Sequence, residues 1–321
     1  LGGQINSRTV KMFSLLKNNC RVMHSVQRGS GALLQSKFQK GATASNLRHS
    51  IAVDHLSPFP SNLGSDRLYS TDYTDGYHQH RLLRSKYISP DTKLLTFELP
   101  WDESIHLRPH APGGVKIRAT VGEQEHEKSY SVASHPELTG MFDLIVKEYP
   151  GEGLGQYLCS LRSGDEVSLW AKPRARFEYE ANKYDDVGLI CNGTGLAPLY
   201  QVLCMALADR EDKTRIHLIF ANRTEEDILM KMVMDFQAFI KKPRLLIHYI
   251  LSEPSSDWKG GTGHVDIHTL EEHLPPPSDT TKVLVCGSDG FVELVAGDRK
   301  DLTVGGLLGQ LGYSDKMVSK L

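Results

Sequence analysis

The hydrophobic period of this chain changes once, near Asp185, and that change limits the architectures open to it. Before it, short apolar-rich runs follow one another. "RLLRSKYIS" and "TKLLTFELP" are divided by the turn signal Ser89-Pro90-Asp91. Then come "GGVKIRATV", "KSYSVAS", "FDLIVKEY" and, after Gly164-Asp165, "EVSLWAK". A helix is expected only around 156–161. Short strands separated by turns predict a small antiparallel barrel. After Asp185 the buried-strand run "DVGLIC" leads into "NGTGLAP", and Leu199, Val202, Leu203, Ala206 and Leu207 then recur at helical spacing. "RIHLIFA", "EEDILMKMVMDFQAFI", "RLLIHYIL" and "KVLVCG" continue a strand–helix alternation, which predicts a doubly wound parallel sheet wrapped by helices. In the Met-rich helix, Leu229, Met232, Val233 and Phe236 share one face and are expected in the core. The chain thus reads as a leader (1–69), an antiparallel β-barrel domain (70–180) and an α/β domain (181–321).

The leader has its own chemistry. Eight Lys and Arg residues precede the first acid, Asp54, amid frequent Ser and Asn. With Met12 taken as the start, this reads as a mitochondrial transit peptide. "RLYST", 67–71, resembles a mitochondrial processing site and places the mature start near Ser70. The other reading is a basic tail, disordered or held to an anionic surface. The location that follows is the mitochondrial matrix or the inner-membrane surface.

Several classes are disfavoured. A net charge of -2 gives no nucleic-acid scaffold. The five cysteines form no CxxC pair, so neither a disulfide framework nor a zinc site is suggested. No apolar run approaches the roughly 18 residues of a spanning helix. GxSxG, HExxH and GxxxxGK[ST] are all absent. His78, His80, His106 and His110 read as surface histidines, and Glu272-His273 as an exposed helix end.

Three stretches carry chemistry. Gly193-Thr194-Gly195 follows one strand and opens a helix, and Cys286-Gly287 ends another. Ligands of open α/β sheets bind beyond such strand ends, where glycines admit the ligand to the backbone. In "HEKSYSVAS" a lysine, an aromatic and hydroxyls crowd one strand, with Lys128, Tyr130 and Val132 on one face and Ser129 and Ser131 on the other.

The order KSYS, DLIVKEY, GEGLGQYL, GDEVSLWAKPRARFEY, NGTGLAP, FANRTEEDIL, CGSDGF and GLLGQLGYSDKMVSKL resembles the NADH–cytochrome b5 reductases of the ferredoxin reductase-like superfamily. The likeness runs from about Arg81 to Leu321. It implies a flavin barrel followed by a nicotinamide-binding domain, with FAD and NADH as cofactors and a haem protein as acceptor. By this resemblance Lys128 would grip the flavin pyrophosphate, Tyr130 would pack along the flavin and Ser131 would sit near its reactive nitrogen. Val146, Lys147 and Tyr149 fall on the family's cofactor-facing strand, and Gly153, Leu154 and Gly155 on its pyrophosphate loop. Gly193, Thr194, Gly195 and Pro198 would line the turn where flavin and nicotinamide meet, with Cys286 and Gly287 beside the nicotinamide. Ser131, Thr194 and Cys286 would touch the reacting groups, and Asp227 would favour NADH over NADPH. No metal is implied. Departures cluster on the phosphate side of the flavin. Lys128 replaces an arginine and loses its planar grip. Glu152 enters the pyrophosphate loop, Lys172 and Ala175 replace glycines, Asn192 replaces a glycine before GTG, and Leu321 replaces an aromatic. They leave a second reading open: a reductase fold with weakened flavin binding, serving as an accessory subunit of a mitochondrial complex.

Overall fold

Two six-stranded sheets carry the molecule. The computed structural model describes residues 76–99, 105, 112–135, 138–151, 153–171 and 177–321; the leader and the positions of His106, His110, Glu152, Lys172 and Ala175 lie outside them. The first sheet is antiparallel. It contains β1 (His78–Ser89), β2 (Thr92–Glu98), β3 (Gly114–Val121), β4 (Gln124–Ser131), β5 (Met141–Lys147) and β6 (Glu166–Ala171), in the order β4-β3-β6-β1-β2-β5. A bridge from Val132 to Leu144 joins the end of β4 to β5 and rolls the sheet toward a barrel. Alternate residues turn inward: Leu82, Leu95, Phe97, Val115, Ile117, Phe142, Leu144, Val146 and Leu169 form one core. Phe97 and Phe142 stack within it, ring centroids 5.6 Å apart. Helix α1 (Leu154–Ser160) closes one end of this core with Leu154, Leu158 and Cys159.

The second sheet is parallel throughout. It holds β7 (Asp186–Asn192), β8 (Arg215–Asn222), β9 (Leu245–Leu251), β10 (Gly261–Thr262), β11 (Thr281–Cys286) and β12 (Val318–Lys320), in the order β10-β9-β8-β7-β11-β12. Its central strands are apolar on both faces because helices cover both. On one side lie α2 (Leu196–Ala208) and α3 (Lys231–Ile240). The other side is covered by α4 (Ile267–His273), α5 (Asp289–Ala296) and α6 (Gly306–Gln310). The core beneath α2 reaches into the first sheet, for it includes Ala133 and Ile145. Phe177 and Tyr179, between the sheets in sequence, are buried there too, and the Tyr179 hydroxyl donates to Asp212 at 2.5 Å.

One expectation holds only in part: Leu229 is in the core, just before the helix begins. The Met-rich helix spans Lys231–Ile240, and Met232 and Phe236 lie on its exposed side. Its buried residues are Met234 and Gln237. Periodicity gives the width of an apolar face but not the direction in which it points. Among the described residues, no helix is long and apolar enough to cross a membrane.

Candidate functional site

The parallel sheet reverses its strand order between β7 and β11, which places a crevice beyond their carboxyl ends. Both strands leave through glycine turns. β7 runs into a single 3-10 turn, Gly193–Gly195, from which α2 starts. Gly193 takes a φ of 48°, in the left-handed region. Gly195 has no room for a side chain, since a Cβ there would lie 2.4 Å from the Cys286 carbonyl oxygen and 2.7 Å from the Gly287 Cα. The turns bearing Thr194 and Cys286 therefore meet backbone to backbone. Asn192, at the position expected to be glycine, locks them: its Oδ1 accepts from the Ser288 N–H at 3.0 Å and its Nδ2 donates to the Ser288 Oγ at 3.3 Å. Arg299 donates to the Gly287 carbonyl at 2.5 Å. Cys286 pairs in register with Cys191, whose burial holds its thiol well above the ordinary value. Cys191 is thus a packing group, not a nucleophile.

A second recess lies on the barrel. β4 and the loop between β5 and α1 enclose a groove of about 290 Å³, lined in part by Lys128, Tyr149, Gly153, Leu154 and Gly155. Tyr130 stands on the same face of β4 as Lys128, opposite Val115, and packs against the barrel core. Its hydroxyl is buried and has no hydrogen-bond partner among the described residues. Burial, then neighbouring Cys159 and Tyr149, push its pKa up, so the group is a neutral O–H donor. Lys128 forms no ion pair with any described residue, whereas its neighbour Glu127 is held by Lys116 at 2.6 Å and Arg118 at 3.1 Å. Hydrogen bonds from Lys116, Tyr77 and Arg118 lower the Glu127 carboxyl to about 2, so this acid stays ionised on the outer face. Gly155 packs on β5, and a Cβ there would lie 2.8 Å from the Lys147 carbonyl oxygen.

One side chain joins the two regions. Gln201, on α2, is fully buried. Its Oε1 accepts from the Gly113 N–H at 2.8 Å, and its Nε2 donates to the Val132 carbonyl and, at 3.4 Å, to the Gly113 carbonyl. Val132 follows Ser131 directly. Alternation turns Ser131 to the face of β4 that Ala133 continues, and Ala133 packs in the core beneath α2. The 3-10 turn lies against β5 as well. The strand carrying Tyr130 and Ser131 is thus fixed to the helix that begins at the glycine turn. Sequence reasoning missed Gln201; the one signal was an amide on a helix whose neighbours Leu199, Val202 and Leu203 are buried.

Other expected residues sit differently. Val146 turns into the barrel core, because it alternates with Ile145 and Lys147; its side chain cannot face a cofactor outside. The Lys147 ammonium is 2.7 Å from Asp91, at the β1–β2 turn. Pro198 is buried in the first turn of α2, where a missing N–H costs no helical bond. Asp227 is turned into its own loop: its Oδ2 accepts from the Thr224 N–H at 3.1 Å and hydroxyl at 3.0 Å, with 12% of the side chain exposed.

Comparison with known proteins agrees with this geometry. The model of the oxidoreductase FAD-binding domain matches residues 79–179, and that of the oxidoreductase NAD-binding domain matches 189–297. The NADH-cytochrome b5 reductase-like protein of Arabidopsis thaliana is 34% identical over 257 residues, covering 77% of each chain. NADH-cytochrome b5 reductase 2 of Meyerozyma guilliermondii is also 34% identical, over 75% of this chain and 83% of its own. The chain belongs to the NADH–cytochrome b5 reductase family. Among solved structures, the cytochrome b5 reductase domain of Ulva prolifera nitrate reductase superposes with a TM-score of 0.67 at 26% identity, over 76% of this chain and 97% of that one. As a member of this family, the protein is a flavin-dependent NADH oxidoreductase whose cofactors are FAD and NADH.

The reductase's own residues fit FAD. Among the described residues the Tyr130 hydroxyl has no partner and supplies a donor, Lys128 is a cation with no ion pair, and Gly153 and Gly155 give a backbone rim. The central test of the junction is Gln201→Leu. It leaves the buried Val132 carbonyl and the half-buried Gly113 N–H without their partner. Unfolding free energy in urea should fall by about 1–3 kcal/mol. Stopped-flow reduction of the flavin by NADH should slow, while the NADH concentration at half-saturation changes little. An unchanged reduction rate would remove the positioning role.

Proposed function

We propose that this reductase passes electrons from its flavin one at a time to a haem protein such as cytochrome b5, and that it works in the mitochondrion. The acceptor is suggested by the names of its relatives, which are NADH-cytochrome b5 reductases. The observation that carries the reading is the junction itself, where the flavin strand and the nicotinamide turn are held together by one buried amide. Bound FAD supplies the chemistry, accepting a hydride and releasing electrons singly.

The chain's own residues supply geometry. Thr194, Gly195, Cys286 and Gly287 offer a close backbone surface on which the nicotinamide half of NADH can lie. Ser131 faces the same side from β4, Lys128 holds the flavin's phosphate end and Tyr130 packs along the flavin. Ala133, Ile145 and Leu196 form an apolar floor that excludes water. Holding the two rings together converts a bimolecular step into an intramolecular one. No side chain need act as a covalent nucleophile. Asp227 is proposed to act indirectly, by fixing the turn after β8 at the edge of the dinucleotide site.

Lys128→Ala tests the flavin end. FAD should dissociate roughly tenfold more readily, as read by the rise of free-flavin fluorescence on dilution. Full retention would remove the assignment of that residue. For the acceptor, the NADH-reduced protein is mixed anaerobically with ferric cytochrome b5. Appearance of the ferrous haem spectrum is expected. No haem reduction by a flavin-loaded protein would sink the acceptor, and a protein that binds no flavin would favour the accessory-subunit reading. The mitochondrial address rests on the basic 1–53 segment and "RLYST". A fluorescent reporter carrying residues 1–69 should enter mitochondria and be shortened there; one that stays outside contradicts it.

A further inference from the structure

Helix α3 is turned inside out. At 3.6 residues per turn, Met232, Phe236, Phe239 and Ile240 fall within an arc of about 100° on one side of the helix. That face points to solvent: Phe239 is 77% exposed, Met232 54%, Ile240 48% and Phe236 37%. The opposite face is partly polar. Gln237 is buried, and the Lys241 ammonium, just past the helix end, turns inward to donate to the Leu207 carbonyl at 2.9 Å. A solitary exposed apolar residue needs no explanation, but four in a row along a helix do.

Charge says what the row suits. Residues 231–244 hold Lys231, Lys241, Lys242 and Arg244 against the single acid Asp235, in a chain whose net charge is -2. Asp235 is already taken up by Lys231 at 2.7 Å and by the Tyr249 hydroxyl at 2.7 Å. Burial, and then the neighbouring Arg244 and Arg210, hold the Lys241 ammonium below its ordinary value. Arg244 is itself turned inward, 3.6 Å from the buried Asp212 and donating to the Ala206 carbonyl at 2.7 Å, so the exposed cations near the end of the row are Arg210 and Lys242. Asp209 and Glu211 are the exposed acids of the adjoining loop. An apolar face carrying two phenylalanines, with cations at its end, matches the boundary between the headgroups and acyl chains of an anionic bilayer.

We propose that α3 docks the protein on an anionic membrane surface, with Met232, Phe236, Phe239 and Ile240 entering the acyl boundary while Lys242 and Arg210 reach lipid phosphates. This mode lies on the membrane and does not cross it. It does not depend on the leader or on the redox site.

The test uses the full chain and vesicles of phosphatidylcholine with or without phosphatidylglycerol. The chain already holds Trp101, Trp170 and Trp258, so emission from position 239 is read as the difference between a Phe239→Trp variant and the wild type; it should shift to the blue on phosphatidylglycerol vesicles and be quenched by brominated acyl chains. This readout separates α3 from any binding by the basic leader. Replacing Phe236, Phe239 and Ile240 together by Ser removes the apolar side chains from the solvent side of α3; the fraction bound should fall roughly tenfold at unchanged flavin content. Emission at 239 that ignores the vesicles would overturn the proposal. So would undiminished binding of the triple variant. Self-association of the wild type that the triple variant loses, without any lipid response, would assign the face to a second copy instead and equally overturn it.

Discussion

The amide of Gln201 is the interaction on which the site depends. It is a neutral group buried between two sheets, and its acceptor and donor ends are both satisfied by backbone of the first sheet. Buried polar groups are costly unless paired, so this contact has one favourable geometry and few alternatives. An apolar residue at this place would allow the sheets to slide. The amide instead sets α2 against Gly113 and Val132, and through them sets the glycine turn against the strand of Tyr130 and Ser131. Gly195 then brings that turn onto Cys286 and Gly287. A hydride donor and acceptor must meet within ångströms, and these contacts make that distance a property of the fold.

Much of this was legible in the sequence. The antiparallel sheet followed by the parallel one came from the period change at Asp185, and the site turns came from glycines at strand ends. These signals are local. Burial direction was not legible, and so Met232 and Phe236 were expected inside. The alternation that sets Ser131 apart from Tyr130 also turns Val146 into the barrel, which resemblance alone did not register. Gln201 and Asn192 escaped for another reason: their partners lie 69 and 88 residues away for the former and 96 for the latter, and no local pattern records such a pairing.

The departures from the family's pattern acquire physical content in the structure. Asn192 is not merely a lost glycine, because its side chain closes the gap to Ser288. Lys128 lacks the two-pronged grip of arginine, yet it is unencumbered by any ion pair with a described residue while its neighbouring cations are engaged with Glu127. A point charge beside a phosphate is weaker in geometry than a guanidinium but retains most of the Coulomb attraction. The Tyr130 hydroxyl, buried without a partner among the described residues, is the clearest mark that the groove is shaped for something polar.

The central claim is that this junction places NADH against a bound flavin. Its most direct measurement is the visible absorption spectrum of the purified protein, recorded without oxygen before and after NADH is added. A yellow protein is expected, with a flavin band that bleaches in proportion to the NADH supplied. A colourless protein that takes up no added FAD, or a yellow one whose band NADH leaves unchanged, would contradict the central claim.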